Sequence, residues 1–188
     1  SDVYKRQLMG NYLKYLFQLV LSPGHGWEDV ERADTDPRRL LSGGYYPLIA
    51  VMALSALAGL FFHHYTFLTL FVRIVVLFVV YFVGYYFGVF MLSVFSDPML
   101  DDGFDDRRAA TFTAYVLGIE AVINIVMLVV PVTPLVLFFL PIYVALVEWK
   151  GVGYMKVKPE KVGLFMILAI FGVMMPPYIF YYLFSIIL

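Results

Sequence analysis

Five stretches of the chain are apolar over the length a helix needs to cross a bilayer. They are residues 45–62, 67–95, 109–130, 133–149 and 162–188. A crossing takes about 20 largely apolar residues to span a hydrocarbon core about 30 Å thick. The fourth stretch is the shortest and contains Pro141, and the fifth contains Pro176-Pro177. Proline at these places predicts kinks that membrane helices tolerate. The separators His63-His64-Tyr65-Thr66 and Pro131-Val132-Thr133 are short and predict tight hairpins between antiparallel neighbours. The pattern therefore predicts an all-α polytopic membrane protein with five transmembrane helices.

Upstream of the first stretch the pattern changes. Residues 1–8 read as a leader artefact, with Met9 as the natural start, and they stand outside the fold reasoning. The apolar run Tyr12–Leu21 has no basic flank and no small-residue cleavage site, so it is not a signal peptide. Lys14 and Gln18 lie four apart on one face of it, which predicts a short amphipathic helix in the membrane interface. Ser22-Pro23-Gly24-His25-Gly26 is a break, and Trp27–Arg32 is a short polar helix anchored by Trp27. Asp36-Pro37 has the form of an N-cap followed by proline at the first helical position, with Gly43-Gly44 ending that turn. Residues 9–44 are too few for a core of their own, so they form a cytosolic and interfacial segment ahead of a transmembrane domain, 45–188.

Composition agrees with this reading. Of 188 residues, 62% are hydrophobic and 14% charged, and the mean hydropathy is +0.85. A soluble domain is about 45–50% apolar and about 25% charged. Net charge is −1, which provides no field for nucleic acid. Cysteine is absent, so disulfides and thiolate metal sites are excluded. The basic residues orient the chain. Six of the 13 precede the first stretch, two lie between the second and third, and four between the fourth and fifth. Arg73 is the remaining one. Basic loops stay in the cytoplasm, so the N-terminus is cytoplasmic and the C-terminus outside. The same arithmetic makes the short fourth stretch a full crossing.

Glu120 and Arg73 stand out as charges well inside spans, where a charge costs about 2.5–3.5 kcal/mol or more. Thr113, Glu120 and Asn124 share one helical face. Two arrangements are open: Arg73 pairs with Glu120, or Glu120 stands as the neutral acid beside Asn124. Either can be a polar lock between spans or part of a proton or substrate relay. Gly84 and Gly88 form a GxxxG, a close-approach motif for internal packing or dimerisation. The acidic loop Asp97–Asp106 fails as a calcium loop, because aligning its glycine on Gly103 puts Pro98 and Leu100 at ligand positions. His63-His64 carry a weak metal or pH signal. No catalytic motif and no nucleotide motif is present, and no cofactor or metal is expected.

The layout resembles one family. A short cytosolic segment with an apolar helix leads into a Pro-x₃-Trp break, Ser22-Pro23-Gly24-His25-Gly26-Trp27-Glu28. Five packed spans follow. The second cytosolic loop runs from Gly103-Phe104 into Ala110-Thr111-Phe112-Thr113-Ala114-Tyr115, and Pro131 ends the third span. This resembles the Yip-one family of Ypt/Rab-interacting membrane proteins, in its prokaryotic branch, over residues 11–188. The arm lacks the family's Asp-Leu-Tyr-Gly-Pro motif, so GTPase binding does not carry over. The resemblance implies the five-pass fold and a non-enzymatic role in the bacterial inner membrane. The leading expectation is a scaffold or adaptor with Trp27, Phe104, Arg107 and Arg108 facing a partner. The alternative is a small transporter or channel using Arg73, Glu120 and Asn124. Expected partners are the bilayer itself and a membrane protein or a second copy of the chain.

Overall fold

The computed structural model describes residues 2–62, 65–130 and 134–187. The His63-His64 pair and the Pro131–Thr133 hairpin lie outside the described residues. The described chain is all helical, with one isolated β-bridge between Leu100 and Val157. We label its helical segments α1 (Asp2–Leu21), α2 (Pro23–Ala33), α3 (Pro37–Phe61), α4 (Phe67–Phe95), α5 (Asp106–Val129), α6 (Pro134–Lys150) and α7 (Pro159–Ile187). Four of them, α3, α4, α5 and α7, are long and apolar enough to cross a membrane. The fourth sequence stretch became α6, whose 17 residues span about 26 Å.

Local chemistry explains most boundaries. The Thr66 hydroxyl accepts from the Thr69 amide at 3.3 Å and opens α4. The Asp105 carboxylate accepts from the amides of Arg107 and Arg108 and opens α5. Proline occupies the first turn of α2 and of α3. Two details differ from expectation. Asp36 makes no side-chain cap bond. Gly43-Gly44 do not end a turn either, since they sit in a π-helical turn, Leu41–Tyr45, that continues into the first long helix. Their missing side chains let α1 lie against that helix, because a Cβ on Gly43 would meet Leu8 at 2.6 Å and one on Gly44 would meet Tyr12 at 2.3 Å. In α7 the helix widens into a π turn at Ile170–Met174, just ahead of Pro176-Pro177. That widening marks the kink the prolines predict.

Helix α5 is the centre of the bundle. Every residue from Thr111 to Ala121 is buried, whereas α4 and α7 each turn a broad apolar face outward. The loops after α4 and after α6 meet at one end of the bundle, where the Asp101 amide donates to Lys156 O at 2.9 Å and the Lys158 amide to Met99 O at 2.9 Å. We call this the loop end. The GxxxG of α4 is consumed inside the bundle: a Cβ on Gly84 would sit 3.0 Å from Pro177 of α7, and one on Gly88 3.0 Å from Thr113 of α5.

Candidate functional site: a clamped arm and a buried polar series

Helices α1 and α2 form a hairpin with only Ser22 between them. The Gly26 position lies so close to α1 that a Cβ there would come within 2.8 Å of the Leu19 backbone. The hairpin packs against the start of α3 and against α5 and α6. Tyr12, Leu16 and Leu19 are buried. The Tyr12 phenol donates to Ala114 O at 2.8 Å and occupies the space over Gly118. The Tyr143 hydroxyl donates to Val20 O near the tip. Tyr143 is seven residues before Lys150, so the tip reaches about 10 Å into the bundle from the loop end.

Trp27 anchors the return helix, but toward the inside. It is 2% exposed. Its ring stacks on Phe112 at 5.3 Å and on Tyr154 at 5.2 Å, and its Nε1–H donates to Val147 O at 2.9 Å. The expected partner-facing tryptophan is therefore corrected: a large ring with a satisfied indole is more stable in a fitted slot than in water. Gly151 shapes that slot, since a Cβ there would meet Phe112 at 2.8 Å and Trp27 at 2.9 Å.

Arg107 and Arg108 are engaged within the chain as well. Arg108 pairs with Glu31 at 2.9 Å and Asp105 at 3.6 Å, and donates to Tyr154 O. Arg107 pairs with Asp34 at 3.3 Å, and Lys156 joins Glu31 at 3.6 Å. Together they fasten α2 to the loop end. Partial burial pushes the Glu31 carboxyl up, but its hydrogen bond to Arg108 and the charges of Lys156 and Arg108 outweigh it. The net effect holds Glu31 below the usual carboxylate range. Burial pushes the Tyr154 phenol up to about 12. Phe104 is half-buried against the core, and its amide donates to Asp97 Oδ1 at 2.9 Å.

The second cluster lies in the bundle interior. Glu120 is fully buried, and neither carboxylate oxygen has a hydrogen-bond partner. Asn124 donates to the Glu120 carbonyl at 3.2 Å and to the Tyr81 hydroxyl, and the Tyr45 hydroxyl donates to Tyr81 O at 2.9 Å. Asn124 and Glu120 thus share a face, as their spacing predicts. The expected Arg73–Glu120 pair does not form. Arg73 donates instead to the Tyr65 hydroxyl at 3.0 Å, with its guanidinium over that ring at 5.5 Å. The long side chain bends toward the near end of its helix, where water and headgroups are closest.

A second buried carboxyl was not expected from the sequence. Glu148 of α6 is also fully buried with both carboxylate oxygens unpartnered. Its sequence neighbours Trp149 and Lys150 mark a headgroup boundary, which hid it. Thr113, two turns before Glu120 on the same face of α5, is buried with an unpartnered hydroxyl. Glu120 is about 10 Å deeper along α5 and Asn124 about 6 Å deeper again. Beyond Asn124 a cavity of about 130 Å³, lined in part by Tyr81, Tyr178 and Arg73, continues the series toward the other end. A carboxyl in such surroundings is stable when a proton or a cation compensates its charge. The described residues contain no cluster of three metal-ligating side chains.

A scan of protein-family models found no match to this chain, and neither the curated proteins nor the solved structures gave one.

Proposed function

We propose that this chain is a non-enzymatic membrane transport protein in which Glu120 and Glu148 carry a proton along the bundle. The supporting observation is two fully buried carboxyls in one bundle, each without a hydrogen-bond donor. A structural lock would be expected to satisfy its polar groups. A relay needs groups that can take up and release a proton, arranged in series. Thr113 and Asn124 extend that series in the two directions.

In this reading α6 is a fifth crossing, the loop end is cytoplasmic and the C-terminus lies outside. The basic residues of the loops support that orientation, as does the return of α6 to the loop end. The bacterial inner membrane and kinship with the Yip-one family belong to the same proposal and rest on the sequence layout.

The test is flux. Protein reconstituted in liposomes under an imposed potential should acidify or alkalinise the lumen, read by a trapped pH dye. Glu120→Gln and Glu148→Gln should each abolish the signal at unchanged protein incorporation. Flux equal to that of the parent in both variants would sink the relay.

A scaffold or adaptor role is the second reading. The exposed acidic loop at Asp101, Asp102 and Asp106 favours it, although Trp27, Arg107 and Arg108 are committed within the chain. Photocrosslinking in cells from Phe104 tests it, and one dominant heterologous protein would carry it.

A further inference from the structure

Arg73 lines two adjoining cavities. One is the inner cavity with Asn124. The other is a lateral groove of about 460 Å³ between α4 and the last turns of α7, lined by Leu68, Val72, Val76, Tyr181 and Phe184, with the hydroxyls of Thr69 and Ser185 at its edge. The groove opens on the apolar surface, where Leu68 and Tyr182 are strongly exposed. Whatever enters it comes from the hydrocarbon side.

The groove contains a cation that pairs with no carboxylate among the described residues. Helix α4 carries no acidic residue, and the only one on α7 is Glu160, at the opposite end of that helix. The Arg73 Nε is buried without a hydrogen-bond partner. Arg73 sits seven residues past Thr66, about 10 Å along the helix, a depth from which a guanidinium reaches the headgroup layer. A guanidinium with a donor to spare is matched by phosphate oxygens, and a basic pocket between transmembrane helices is a setting for anionic headgroups.

We propose that the α4–α7 groove binds an anionic phospholipid, its phosphate on Arg73 and one acyl chain along Leu68, Val72, Val76 and Phe184. The apolar lining and the sideways opening select a lipid over a free anion, which would have to leave water to reach the site.

Native mass spectrometry of the purified full-length protein, titrated with phosphatidylglycerol or phosphatidylcholine of identical chains, tests this directly. At least tenfold tighter binding of the anionic lipid is expected. Arg73→Gln should erase the difference, Arg73→Lys should keep part of it, and Arg107→Gln, at the opposite end of the bundle, should leave it intact. Equal binding of the two lipids by the parent protein would overturn the proposal even if Arg73→Gln fails to fold. So would an unchanged preference in Arg73→Gln. A thermal shift produced by inorganic phosphate alone, as large as that from the anionic lipid, would assign the site to a free anion and also overturn it. None of these outcomes depends on proton flux, so the groove and the relay stand or fall separately.

Discussion

The anchoring side chains of the arm and the buried carboxyls of the bundle differ in whether they find partners. At the arm, Trp27, Tyr12 and Arg108 each meet a fitted partner: Val147 O, Ala114 O and the Glu31 carboxylate. About 10 Å deeper along α5, by helix rise, Glu120 meets none, and neither do Glu148 and Thr113, which adjoin the arm's contacts at Val147 and Ala114 in sequence. An unsatisfied buried polar group costs about 1–3 kcal/mol, more if charged. The arm is therefore organised for stability. The interior carries a cost that makes sense if its carboxyls have to change state. Substitutions should weaken the fold at the first region and flux at the second.

The largest effect on stability is expected at the tryptophan slot. Trp27→Ala should destabilise the protein by about 3–5 kcal/mol. Trp149→Ala, at a position 54% exposed, should stay within about 0.5 kcal/mol. Thermal unfolding in one detergent, followed by circular dichroism, checks both. Equal losses would erase the distinction between the two rings.

Next comes the Tyr12 contact. Gly118→Ala places a methyl where the phenol oxygen sits, 2.1 Å from the ideal Cβ, and should cost about 1–3 kcal/mol. Removing that oxygen in a Tyr12→Phe background should return part of the loss. A double-mutant cycle reads the coupling, and simple additivity would separate the two residues.

The charged clamp should matter less. Arg108→Gln should lower stability by about 1 kcal/mol and Arg107→Gln by less, since exposed pairs contribute little. Glu31 sets the pH dependence. Its folded-state value is depressed, so its contribution is full above the ordinary value of 4.5 and fades as the pH falls below it. Unfolding midpoints between pH 7 and pH 4 should drop more for the parent than for Glu31→Gln.

The smallest stability effect belongs to the interior. Glu120→Gln should leave the unfolding midpoint level or slightly raised while abolishing flux. A drop in stability comparable with that of Gly118→Ala would turn Glu120 into a structural lock.

The sequence made the long helices legible because apolar runs of this length have few other uses. The shared face of Thr113, Glu120 and Asn124 was equally legible, since helical spacing alone decides it. The partners across faces were not. Nothing in the spacing tells whether Arg73 turns toward Glu120 or toward Tyr65, because a long side chain reaches both. Glu148 was masked by the boundary signals of Trp149 and Lys150. Trp27 near a helix start reads equally as a belt residue or a core residue, and only the slot made by Gly151, Phe112 and Tyr154 decides it. The small residues at 118 and 151 were the available signal for the docked arm, but a glycine in an apolar run does not announce what fills its space.

The arm's hydrogen bonds also imply an order in time. Tyr12, Val20 and Trp27 bond to residues 102, 123 and 120 positions further along the chain. When α1 and α2 leave the ribosome, the surfaces that receive them have not yet been made. The hairpin cannot make these bonds until α3 to α6 have been synthesised and α5 and α6 stand where it docks. An early segment is thus seated late: its closure depends on α5 and α6 being in place, and α7 follows them in the chain.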